Sequence, residues 1–206
     1  MAKLESSFKN MVLSLLGITF VASAALGLVN NATKPAIEKA EIKQKSDAIS
    51  AVLPKFDKLG KEYQAMPKDG SECVDVFPAL NASGEVIANA VKTYSYNGFG
   101  GYIEVMVGFD KEGNVSGYQV LKHAETPGLG SKMGEWFSNE SKTKQYVIGR
   151  SLKDGQLKVA KDGGQIDAIT AATISSRAFL ESINRAYSVL NDQFDGVTSA
   201  TKHEGE

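Results

Sequence analysis

Two short segments concentrate the residues able to do chemistry. Residues 167–176 read DAITAATISS and place four hydroxyls, Thr170, Thr173, Ser175 and Ser176, where an apolar stretch gives way to a helical pattern. At such a junction, unpaired backbone N–H groups and the positive end of a helix dipole favour a phosphate. The same hydroxyls suit ordinary N-capping by Thr173, Ser175 or Ser176, and taken alone the pattern favours capping. The second segment reads HAETPGLG at 123–130 and supplies Glu125, Thr126, Pro127, Gly128, Leu129 and Gly130. A proline and two glycines fix a bend while letting backbone approach a neighbour closely. By itself that loop equally suits a structural turn at the end of a strand.

The remaining inventory excludes more than it offers. Lys and Arg number 23 and Asp and Glu 24, for a net charge of -1. No basic excess exists to neutralise phosphates, so nucleic acid is not an expected partner. One cysteine, Cys73, excludes an internal disulfide, a multi-cysteine zinc site and a cysteine-bound iron–sulfur cluster within the chain. His123 and His203 are too few for a conventional buried metal site.

Charge is unevenly spread. None falls between Met11 and Thr33, and 11–29 form an uncharged apolar run of 19 residues. As a helix that run spans roughly 28 Å, close to a hydrocarbon core of about 30 Å. Ser14, Thr19 and Ser23 are tolerable there because each can bond to its own helix. Ala22, Ser23 and Ala24 resemble a signal-peptide cleavage site, but the apolar stretch runs past it, which favours a retained anchor. Lys3 and Lys9 before the run balance Lys34 and Lys39 after it, so charge alone does not orient it. A long C-terminal domain translocates largely regardless of such charges, so the N-terminus is expected inside and the domain outside.

The elements that must position the two segments follow from punctuation and period. Asn30, Asn31 and Pro35 are expected to interrupt the apolar helix, with a weakly amphipathic helix restarting over 36–53 and ending before Pro54. From Cys73 the period changes to strands: 74–80, a turn at 81–84, then 86–94. Alternation at Ile103, Val105 and Val107, a turn at 110–114 and a return over 115–121 predict a hairpin. Residues 97–101 read NGFGG, a flexible turn or bulge that could also touch a ligand. A short helix is expected over 133–139, with Trp136 and Phe137 as core or interface residues rather than a cofactor box. A strand is expected over 166–169, then a final helix with Phe179, Ile183, Ala186, Tyr187 and Leu190 on one face. The fold class is therefore α+β: one N-terminal transmembrane helix, then a compact domain of helices and antiparallel strands. The expected divisions are an anchor segment at 1–33, a helical lead-in at 34–72, a ligand-binding domain at 73–191 and a flexible tail at 192–206.

Together the two segments carry a family resemblance. DAITAATISS resembles the flavinylation motif of the FMN-binding domain in the G subunit of the Rnf complex and in the C subunit of sodium-translocating NADH:quinone reductase. ETPGLG resembles the second signature of that family, and the order of anchor, ETPGLG and hydroxyl motif agrees along most of the chain. Its short length is more similar to the Rnf subunit. Ala171 stands where the family often has glycine, and alanine resists the positive φ that glycine adopts at low cost.

The resemblance implies an electron carrier with FMN joined through its phosphate to Thr173. Glu125 to Gly130 would approach the flavin, while Thr170, Ser175 and Ser176 would serve phosphate or turn. It further implies a separate flavin transferase using FAD and a divalent metal, and a membrane complex linking ferredoxin and NAD to ion transport. The chain itself has no nucleotide fingerprint, cysteine cluster or multi-helix ion path, so partner subunits must supply them. The alternatives are an FMN carrier of the quinone reductase and a noncovalent phosphate- or flavin-binding module.

Overall fold

The computed structural model describes residues 7–68, 70–153 and 155–194. The chain divides into two compact units, Met1–Gln44 and Lys45–Glu206. The expected tail lies almost wholly outside the described residues.

In the first unit a single helix dominates. Helix α1 spans Phe8–Val52 and contains an 18-residue window of mean hydropathy 2.3 with none of its residues buried, long and apolar enough to cross a membrane. Two of its hydroxyls bond inward, Ser14 Oγ to Met11 O at 2.9 Å and Thr19 Oγ1 to Leu15 O at 2.9 Å, so both are satisfied within the helix. The break expected at Asn30, Asn31 and Pro35 does not occur, because α1 runs through Pro35 without interruption. Proline removes one helix hydrogen bond at a cost of about 3 kcal/mol. The turn is exposed, where solvent can take the freed carbonyl, and the helix runs on with that one bond missing.

The second unit is an antiparallel sheet covered on both faces. Its strands are β1 (Lys58–Leu59), β2 (Tyr63–Ala65), β3 (Val74–Leu80), β4 (Val86–Gly98), β5 (Gly101–Asp110) and β6 (Val115–His123). They run in the order β1-β3-β4-β5-β6, with β2 also on β3. The hairpins expected around 81–84 and 110–114 are present. Strands β1 and β2 fall inside the expected helical lead-in; at two and three residues they are too short to show alternation. Helix α2 (Met133–Trp136) is short, and helix α3 (Thr173–Phe194) is the long C-terminal helix.

Strand alternation sends side chains to two cores. Ile103, Val105 and Val107 face α3, which buries Phe179, Ile183, Ala186 and Leu190 against them. Met106 points the other way, onto Ala48, Ile49 and Val52 in the last turns of α1. Phe137 stacks on Phe179 with ring centroids 4.5 Å apart, a core residue as expected. Trp136 is half-buried at the edge of that core and donates Nε1–H to Asp167 O at 3.0 Å. Polar ties cross the same interface: Thr93 Oγ1 donates to Ser182 O at 3.0 Å, and Ser95 Oγ to Glu181 at 3.0 Å. The strand expected at 166–169 is only a single parallel bridge between Val159 and Ile166. The neighbouring carbonyls are spent on local turns and on Trp136, which leaves no ladder to extend.

Candidate functional site

Three segments meet at the first turn of α3. The chain reaches that turn through Ala171, which holds φ at 61°, the one described non-glycine residue with positive φ. Alanine thus takes the left-handed conformation it resists, and Ala172 N–H closes the turn on Ile169 O at 2.9 Å. Ser176 locks it from inside: its Oγ accepts from Ile169 N at 2.9 Å and donates to Ala172 O at 2.9 Å. Ser176 is fully buried, so it stabilises the turn and is turned away from any ligand.

Glu125 joins the other two segments to this helix. Its carboxylate is 5% exposed; Oε1 accepts Gly100 N–H at 3.0 Å and Oε2 accepts Ser175 Oγ–H at 2.5 Å. Gly100 belongs to the turn between β4 and β5, the NGFGG segment. One buried acid therefore clamps that turn, its own loop and α3. The clamp leaves no room beside it: a Cβ at Gly130 would sit 2.5 Å from Glu125 Oε2 and 2.5 Å from Ser175 Oγ. Thr126, Pro127, Gly128 and Leu129 form a type II turn, with Leu129 N–H on Thr126 O at 3.1 Å and Gly128 at φ 76°. Pro127 and Gly128 shape this turn without lining the cleft beside it.

That cleft has a volume of about 340 Å³ and is lined from all three segments. Phe99, 70% exposed, comes from the NGFGG turn; Glu125, Thr126, Leu129 and Gly130 come from the loop; Ala171 to Ser175 come from the start of α3. Its walls are mainly apolar, with a hydroxyl at the helix end. Thr173, the first residue of α3, is half-buried, and its Oγ1 accepts a hydrogen bond from Lys161 Nζ at 3.4 Å. Thr170 is exposed and does not line the cleft. One turn beyond Thr173, Arg177 grips Asp162 with two contacts of 2.7 Å, and this guanidinium holds the Asp162 carboxyl below its ordinary range.

Several of these residues are silent in the sequence. Phe99 lies within the 97–101 segment, where the sequence leaves a flexible turn and a ligand contact both open without singling out the phenylalanine, and Ile174, 48% exposed on the cleft wall, looks like any helix residue. Lys161 sits 12 positions before Thr173 in a polar stretch, where no spacing rule could single it out.

An apolar cleft with a hydroxyl at one end suits a planar ring carrying a phosphate. The FMN-binding domain family matches residues 98–188, which include every residue lining the cleft. A relative from Shewanella amazonensis, the G subunit of an ion-translocating oxidoreductase complex, is 32% identical over 188 residues, covering 88% of this chain and 86% of the relative. The chain belongs to the family of G subunits of ion-translocating oxidoreductase complexes. A second G subunit, from Vibrio vulnificus, is 33% identical across 85% of this chain and 87% of its own. The Acetobacterium woodii relative is named as the G subunit of a Na(+)-translocating ferredoxin:NAD(+) oxidoreductase complex and is 31% identical across 84% and 86%. The solved structure of Shewanella oneidensis NqrC overlaps 65% of this chain and 68% of that chain at 22% identity, with a TM-score of 0.48.

Proposed function

We propose that this chain is the electron-carrying FMN subunit of a membrane ion-translocating ferredoxin:NAD oxidoreductase, with the FMN phosphate esterified to Thr173. The observation that carries the reading is the position of Thr173: its hydroxyl stands at the cleft rim, on the first turn of α3, with a lysine ammonium beside it. The other hydroxyls of the motif have different employment. Ser175 and Ser176 are buried and bonded to the fold, and Thr170 lies off the cleft.

Bound FMN supplies the redox chemistry, and attachment through phosphate leaves its ring unmodified. The protein's part is placement. Phe99, Leu129 and Ile174 offer apolar surface for a ring, and the Glu125 clamp fixes the segments that carry them. Other membrane and redox subunits supply the ion path and the remaining carriers, and a flavin transferase supplies the modification. Helix α1 is read as a retained single-pass anchor in the bacterial cytoplasmic membrane, with the FMN-binding domain on the outer side.

The test is co-expression of the full chain with a flavin transferase, followed by denaturation, intact mass and in-gel fluorescence. Wild type is expected to keep an FMN phosphoester mapping to Thr173. Thr173→Val removes the hydroxyl at nearly constant shape and should abolish the adduct while the domain stays folded. Thr170→Val should retain it. An adduct on Thr173→Val, or one mapped to Thr170, overturns the assignment.

A further inference from the structure

An ester of FMN at Thr173 carries a negative charge on its phosphate, and the fold holds a cation ready for it. Lys161 lies in a one-turn 3-10 helix, Ala160–Asp162, and its Nζ is 3.4 Å from Thr173 Oγ1. The backbone around it is tied on both sides. Before it, Val159 bridges to Ile166, and Ala160 N–H bonds Ile166 O at 2.8 Å. After it, the Asp162 carboxylate is gripped by Arg177, one helical turn past Thr173. The turn is thus fixed to the helix that presents the hydroxyl, and an exposed lysine is delivered to one particular oxygen.

The neighbouring charges sharpen this. Asp162 neutralises the Arg177 guanidinium in a two-point ion pair, which lowers the pull of Arg177 on an incoming anion. Lys161 instead donates to the neutral Thr173 hydroxyl, which does not lower its pull on a phosphate. Among the described residues lining the cleft, Glu125 is the one acid, and it is turned into the protein and bonded to Gly100 and Ser175.

Resting on the Thr173 reading, we infer that Lys161 is the phosphate-binding residue of the flavinylation site, both while FMN is being attached and afterwards. In the attachment step the Thr173 oxygen forms a bond to the FMN-side phosphorus of FAD. The bond from that phosphorus to the bridging oxygen breaks, AMP leaves with that oxygen, and the hydroxyl proton is released; nothing is oxidised or reduced. Lys161 compensates charge on the transferring phosphate and then pairs with the anionic diester. Asp162 and Arg177 act through it, as positioning residues that hold its turn against α3.

The experiment follows FMN incorporation by intact mass, using the full chain in detergent with a flavin transferase, FAD and magnesium. Lys161→Gln is expected to slow the initial rate about fivefold, the size of one lost exposed ion pair, with an unchanged melting temperature. Lys161→Glu should be slower again, and Lys161→Arg should restore most of the rate. A second readout is reductive methylation of Lys161, followed by peptide mass. Pairing with a diester keeps the amine protonated, so the FMN-loaded chain should react more slowly at this lysine than the unloaded chain. Equal incorporation rates for wild type, Lys161→Gln and Lys161→Glu, with the adduct on Thr173, overturn the role of Lys161 and leave the Thr173 reading standing. Equal methylation of loaded and unloaded chains overturns its lasting contact with the diester. An adduct on another residue sinks both readings together.

Discussion

Ser175 Oγ donates a 2.5 Å hydrogen bond to Glu125 Oε2 across 50 positions of sequence, and both groups are buried. This contact joins the ETPGLG loop to the hydroxyl motif, and through Gly100 N–H it also captures the turn that carries Phe99. The first prediction follows from what a buried carboxylate loses when a donor is removed. Ser175→Ala should lower stability by about 1–3 kcal/mol, since a charged acceptor is left short of one partner. The flavin ester should still form on Thr173. Thermal melting and intact mass, read together, check this; loss of the ester with unchanged stability would instead make Ser175 a phosphate ligand.

The two glycines of the loop should fail differently. Gly130→Ala places a methyl 2.5 Å from both Glu125 and Ser175, so the clamp must open, at about 1–3 kcal/mol. Gly128→Ala meets no atom within 4 Å and pays only for its φ of 76°, about 1–2 kcal/mol. Urea unfolding should rank Gly130→Ala as the more harmful, and flavin incorporation should suffer chiefly in that variant.

Ala171 holds φ at 61°. Ala171→Gly relieves strain of about 1–2 kcal/mol and gives back about 0.4–1 kcal/mol through a freer unfolded chain. A gain of up to about 1.6 kcal/mol is expected, with flavin attachment intact. A clear loss of stability on denaturant unfolding would show that the alanine methyl contributes packing beyond its backbone cost.

Tyr118 should make the domain sensitive to alkali. Its hydroxyl donates to Met133 O at 2.8 Å, and burial pushes its pKa from 10.0 up to about 12. A raised acid pKa in the folded state means the unfolded chain ionises first. Stability from this group is complete below pH 10.0 and is lost as pH climbs from there towards about 12. Urea midpoints measured across pH ~9 to ~12 should fall less steeply for Tyr118→Phe than for wild type.

Local rules are enough for several parts of this chain. A run of 19 uncharged residues is a membrane-length helix whatever surrounds it. Alternation at Ile103, Val105 and Val107 and the turn at 110–114 specify a hairpin because strand side chains alternate and Asp, Gly and Asn reverse the chain. The spacing of Phe179, Ile183, Ala186 and Leu190 specifies one buried face of α3. Thr173 and the ETPGLG loop stand out as short strings of unusual residues.

What those residues do is legible only in three dimensions, because their partners are far away in sequence. Four hydroxyls that are alike in DAITAATISS separate only when the fold buries Ser175 against Glu125, turns Ser176 onto Ile169, leaves Thr170 off the cleft and sets Thr173 beside Lys161. Pro35 reads locally as a helix break, yet flanking helix carries α1 through it. Ala171 reads as a residue that avoids positive φ, yet the turn held by Ser176 and Ala172 imposes one. At Ala171 a local preference of about 1–2 kcal/mol met several contacts acting together, and the contacts prevailed.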